Sequence, residues 1–295
     1  MSSLLNILSQ AAPGPADSIE PVTRTIWDPV SIIFSTVGMC ILIGWLFWFG
    51  GFRALRQAPI RRHRQRFLYW PPVILAIWML NMIAIQVVIS IFFHERPTSQ
   101  TSIISYFVNI ILEIALIVLM LILAEKLFTR GTKGLGLMRV SLMVDLPMAA
   151  VNLLGVFPLV FGGLALTLTL GRIFSGPEFN LQVHQSLEML TDANPALKIM
   201  IFSFAVLIVP VFEELLFRGF VQTTLRSVTG HPWVAIFITS AFFAILHPTT
   251  HIPALFMLSC GLGYAYERSG SLARPILIHV LFNGINVAAT LLLSA

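Results

Sequence analysis

Along most of the chain the hydrophobic positions come in unbroken runs, not in the alternation of a strand or the one-sided stripe of a soluble helix. The runs lie at roughly 30–50, 68–93, 103–125, 147–169, 197–217, 233–250, 251–267 and 272–293. Each is close to the length a helix needs to cross the hydrocarbon layer, about 20 residues. A helix satisfies its own backbone hydrogen bonds, and one that is apolar all round has no face to offer water. The pattern therefore predicts an all-α, polytopic integral membrane protein of about eight transmembrane helices. Runs six and seven are separated only by "HPTTHIP" (247–253), where Pro248 and Pro253 predict a short break or half-helix.

Composition narrows the class further. The chain is 57% hydrophobic and only 11% charged, with a mean hydropathy of +0.88. Soluble domains carry about 25% charged residues, so a soluble globule is excluded. The net charge is +5, and much of it crowds into "RALRQAPIRRHRQR" (53–66). Alone, that loop would read as a nucleic-acid patch. Between two spans it reads as a cytoplasmic topology signal, and no nucleic-acid partner is expected. Lys126, Arg130, Lys133 and Arg139, then Arg226, then Arg268 and Arg274 recur at the same alternation. They predict both termini outside, in a membrane resembling a prokaryotic inner membrane. Cys40 and Cys260 each fall within a span and form neither a disulfide framework nor a CxxC pair.

The organisation expected is an N-terminal extramembrane segment, 1–29, without a cleavable signal peptide, followed by one transmembrane domain, 30–295. Within it, 131–146 reads as an interfacial connector, and 171–196, the longest polar connection, as a cap over the membrane surface.

Against this background, three charges in "VPVFEELLFRGF" (209–220) require a reason. A charge at mid-bilayer costs about 2.5–3.5 kcal/mol on insertion scales. Glu214 and Arg218 are four apart, share a helix face and can pair. Glu213 points about 100° away and has no cation at either helical spacing. One carboxylate is supported, and the other is free to do chemistry. Downstream, "FAILH" places Phe243 and His247 on one face, and "HVLFN" does the same for His279 and Asn283. Counted from Arg226 and Trp233 along regular helices, Glu213 and His247 both lie about 20 Å deep, so the groups can meet without a loop.

Glu-Glu-x-x-x-Arg (213–218), Phe-x-x-x-His (243–247) and His-x-x-x-Asn (279–283), in this order, together with "GLGYAYERSGSLARPILIH" (261–279), resemble the CPBP intramembrane proteases. These are the type II CAAX prenyl endopeptidases and bacteriocin-processing enzymes. The likeness covers about 197–290. It implies an endopeptidase acting on membrane-associated peptides or proteins, in a cavity open toward the cytoplasm. It also implies Glu213 as the base that activates water, His247 as the residue that helps hold that water, and His279 with Asn283 as the oxyanion hole. Glu214 and Arg218 match the supporting pair. A carboxylate placed on water can serve as a general base, and an imidazole with an amide donor can stabilise an oxyanion.

A divalent metal such as zinc is a possible cofactor, with Glu213, His247 and His279 as its ligands. No HExxH spacing accompanies them, and the reading leans to no obligatory metal. His251 is a further candidate for the site, and Glu113, read first as a helix–helix hydrogen bond, is a candidate to line its cavity. Asn81 and Gln86 read as helix–helix hydrogen bonds, and Trp233 and Tyr264 as packing or interface anchors. The alternative function is a proton-coupled transporter or a non-enzymatic scaffold or immunity protein. Buried Glu, His and Arg also build proton relays. A transporter predicts paired halves with matching broken helices, and none are visible. Neither the natural substrate nor the oligomeric state is legible.

Overall fold

The computed structural model describes residues 29–55, 69–92, 98–128, 130–137, 141–181 and 194–293. Eight helices carry the fold: α1 (Pro29–Phe47), α2 (Trp70–Phe92), α3 (Thr98–Leu127), α4 (Leu142–Ser175), α5 (Pro195–Thr229), α6 (Pro232–Ile245), α7 (Ile252–Ser269) and α8 (Ala273–Leu293). There is no β-sheet among the described residues. Five of the helices, α2, α3, α4, α5 and α8, are long and apolar enough to cross a membrane. Helices α1 and α6 are apolar but shorter, and α7 ends in the charged pair Glu267 and Arg268. Every expected run is therefore helical, and among the described residues five helices meet the length and composition of a span, so the count of eight is not confirmed. Most of the basic loop 53–66, residues 182–193 of the expected cap, and the segment before residue 29 lie outside the described residues.

The break expected after run six is present. Helix α6 stops at Ile245, a 3-10 turn follows at Thr249–His251, and α7 starts at Ile252. Pro253 sits in the first turn of α7, where its missing N–H leaves no helical bond unmade. His247 thus lies just beyond the end of α6, not within a span continuing to 250.

Helix α5 occupies the middle of the bundle, with α2, α3, α6, α7 and α8 packed around it. Phe212, Leu215, Leu216, Phe217 and Phe220 of α5 form one core with Leu116 and Met120 of α3, Ile74 of α2 and Phe243 of α6. A second core joins α4 to α7 through Leu153, Val156, Phe157, Ala254, Leu258 and Leu262. In that second interface Gly163 lets the backbones touch. A Cβ there would come within 2.7 Å of the Ala254 backbone, the close approach that small residues permit between membrane helices.

Candidate active site

Helix α5 is not uniform. Two π-helical stretches, Ser203–Ile208 and Leu215–Gln222, bracket a short α-helical piece, Val209–Glu214, that carries both glutamates. Pro210 lies in the first turn of that piece and has no N–H to donate to the preceding turn. A wide turn re-aims the residues beside it and changes which carbonyls the ladder uses. Two carbonyls in these stretches accept from side chains. Asn283 Nδ2 donates to Ala205 O at 2.8 Å, and Thr223 Oγ1 donates to Arg218 O at 2.9 Å.

The charged groups form a chain inside the bundle. Arg218 and Glu214 are fully buried, and Arg218 Nη1 donates to Glu214 Oε1 at 2.6 Å. His279, from α8, brings its Nδ1 to the same oxygen at 2.9 Å. A carboxylate only accepts, so the proton of this bond sits on Nδ1 and leaves Nε2 for other work. His279 Nε2 lies 3.7 Å from Glu213 Oε2. The other end of the guanidinium is anchored in α7, where Arg218 Nη2 donates to Ser259 Oγ at 2.6 Å and to Ser259 O at 3.1 Å. Its carbon lies 5.1 Å from the centre of the Phe243 ring, within cation–π range. One arginine thereby ties α5, α6 and α7 around the glutamate that holds His279 of α8.

Of the six residues read from the sequence, four meet directly: Glu213, Glu214, Arg218 and His279. Phe243 links the histidines, its ring 4.6 Å from that of His247 and 6.0 Å from that of His279. His247 is half-buried, with Nδ1 2.7 Å from Phe243 O. The ion pairs of the two glutamates go to Arg218 and His279 and not to His247. Asn283 joins α8 to the wide turn of α5 through Ala205, not to the glutamates. His251 turns to Thr250 Oγ1 at 3.1 Å. Tyr264 and Trp233 take part in an aromatic cluster with Trp45 and Phe52, in which Trp45 Nε1 donates to Tyr264 Oη at 2.8 Å.

Sequence reasoning missed Ser259, which carries no local signal because its partner is 41 residues away. It also missed the work of Phe243, whose signal was its fixed place four residues before His247. Among the described residues no three His, Cys, Asp or Glu side chains are placed to hold a metal ion, so Glu213, His247 and His279 do not form a ligand set.

Residues 195–285 match the family model described as type II CAAX prenyl endopeptidase Rce1-like. This segment is similar to an Rce1-like domain. It begins with α5 and ends within α8, so the matched segment contains all six residues named above, while α1 to α4 lie outside it. The family that this model describes is one of endopeptidases. Neither the curated proteins nor the solved structures hold a match to the chain.

Proposed function

We propose that this protein is an intramembrane endopeptidase that cleaves membrane-associated peptides or proteins with a water activated by Glu213. The observation that carries the reading is the division of labour between adjacent carboxylates. Glu214 is committed to Arg218 and His279 through one oxygen. Glu213 has no such commitment, and its nearest charged partner is His279 Nε2 at 3.7 Å. The uncommitted carboxylate is the group able to take a proton.

In the proposed reaction Glu213 removes a proton from water as the water oxygen bonds to the scissile carbonyl carbon. The carbonyl π electrons move to oxygen. As that oxyanion collapses, the C–N bond breaks and the nitrogen leaves with the proton from Glu213. His279 Nε2 faces the reacting groups because Nδ1 is held by Glu214. His247 is placed beside it across the Phe243 ring and helps hold the water. Asn283 has two amide hydrogens, and only one is used by Ala205, so the second is the candidate donor to the oxyanion. Loss of one such donor costs about 100- to 1000-fold in rate.

The test is cleavage of fluorogenic peptides, prenylated and unprenylated, by the full chain in nanodiscs. Glu213→Gln should abolish hydrolysis while leaving thermal unfolding unchanged, and a chelator should leave the wild type active. Activity that a chelator removes and added metal restores would overturn the metal-independent route. Hydrolysis surviving in Glu213→Gln would overturn the role of Glu213.

A further inference from the structure

A cavity of about 460 Å³ lies between α4, α6 and α7, away from the buried charges, with Leu159, Gly162, Leu166, Ile245, Pro253 and Phe256 on its wall. All its wall residues are apolar. Leu159, Leu166 and Ile245 are also exposed on the outer surface, so the cavity opens to the side that the bilayer covers. A second cavity, of about 320 Å³, shares Pro253 with the first and continues along α4 from Thr167 to Phe174. Its wall includes Thr167, Thr249 and Thr250. Thr249 is exposed, Thr167 Oγ1 donates to Gly163 O at 3.1 Å, and Thr250 Oγ1 lies 3.1 Å from His251 Nδ1. Exposed Arg172 and Glu178 adjoin the wall residues Gly171 and Phe179 in the chain.

We propose that the two cavities form a binding site for one phospholipid, with an acyl chain in the first and the ester and headgroup region in the second. An apolar cavity offers water no partners and stays dry, whereas a hydrocarbon chain buries its surface there favourably. Its volume is within the range of ligand sites, about 300–1,000 Å³. Hydroxyl groups begin where the apolar wall ends, toward the end of α4, and a cation and an anion adjoin them. Chain, ester and zwitterionic headgroup, in that order, match phosphatidylethanolamine. Gly162 adds an independent sign. It lies in the interior of α4, where glycine is destabilising. A Cβ built on it meets nothing within 4 Å, so no protein contact accounts for this glycine as the Ala254 backbone accounts for Gly163. What Gly162 keeps clear is the cavity.

The site lies against a part of the fold that matters for the chemistry. Its wall includes Ile245, the last residue of α6, and Ile252 and Pro253 from the first turn of α7. Between them runs the break that carries His247. A chain seated in the cavity touches both rims of that break and fixes the gap between them. The phospholipid thereby braces the segment that sets His247 against the Phe243 ring. The binding site itself does not rest on the peptidase reading; its effect on turnover does.

The test is native mass spectrometry of the full chain, delipidated in detergent and supplied with phosphatidylethanolamine. Wild type should retain a single phospholipid. Gly162→Phe, which fills the cavity, should retain none, whereas Gly162→Ala, which adds one methyl group, and Ile83→Phe on the outer face of α2 should retain it. In the same samples phosphatidylethanolamine should raise wild-type kcat by about 5-fold or more, the lower end of coupling between two sites, and leave Gly162→Phe unchanged. The mass-spectrometry arm needs no turnover, so failure of the peptidase reading and failure of the site are separately visible. No phospholipid on wild type, or equal retention by Gly162→Phe, would overturn the site. A KM raised in Gly162→Phe for prenylated peptides alone, with phospholipid retention unchanged, would give the cavity to the substrate's chain and overturn it too. A wild-type kcat indifferent to phosphatidylethanolamine would overturn the brace.

Discussion

Arg218 is the residue on which the most contacts of the site converge. Its guanidinium reaches Glu214, Ser259 and the Phe243 face from a fully buried position. A buried ion pair broken on one side leaves an uncompensated charge, at a cost of about 3–5 kcal/mol. Arg218→Met should therefore lower stability by that amount and release Glu214, which alone orients His279 Nδ1. Adding Glu214→Gln to Arg218→Met should restore part of the stability, because no lone charge then remains, but not activity. Denaturation of the single and double variants measures this coupling, and strictly additive losses would contradict it. The i,i+4 spacing of Glu214 and Arg218 is a local property and was legible in the sequence. The partnership of Arg218 with Ser259 joins residues on different helices and was not.

At the scale of elements, the glutamates owe their direction to the two wide turns of α5. A regular α-helix from Pro195 to Thr229 would place each carboxylate at the 100° steps assumed from the sequence, and the same assumption underlies the depth comparison with His247. The wide turns alter both, and they hold because Asn283 and Thr223 supply donors to carbonyls within them. Asn283 thus has a structural contact in addition to its proposed chemical one. Helix α7, which presents Ser259, is in turn placed by its close crossing with α4. Gly163→Val puts side-chain atoms where the Ala254 backbone lies. The expected cost is about 1–3 kcal/mol for overpacking, read as a lower unfolding midpoint in detergent, together with reduced turnover as Ser259 moves away from Arg218. An unchanged midpoint would show that this crossing is slack.

For the molecule as a whole, the apolar exterior and the polar interior are one design. Large hydrophobic side chains lie exposed along the outer helix faces, Ile83, Val118, Leu166 and Leu207 among them, while Glu113, Glu213, Glu214, Arg218 and His279 are buried. The bilayer covers the first set, and α2, α3, α6, α7 and α8 cover the second around α5. Leu207, 49% exposed on α5, faces outward one residue from the buried Val206. Leu207→Arg should reduce membrane insertion by about 2.5–3.5 kcal/mol on insertion scales, seen as a lower inserted fraction in a translocon assay. Insertion equal to wild type would place that face against protein or water, not lipid.

What the sequence determined by itself was the class of the fold and the helix that carries the buried charges. Long apolar runs admit little except membrane helices, because an unpaired backbone group is too costly in hydrocarbon. Charges are so expensive there that Glu213, Glu214 and Arg218 marked themselves. The break before α7 was legible in Pro248 and Pro253, because proline acts on the backbone at its own position. The tertiary structure alone decided which partners those charges have. Helices far apart in sequence bring His279 to Glu214, Ser259 to Arg218 and Asn283 to Ala205. Such contacts depend on helix rotation and depth, which the wide turns of α5 reset and which no single helix pattern records.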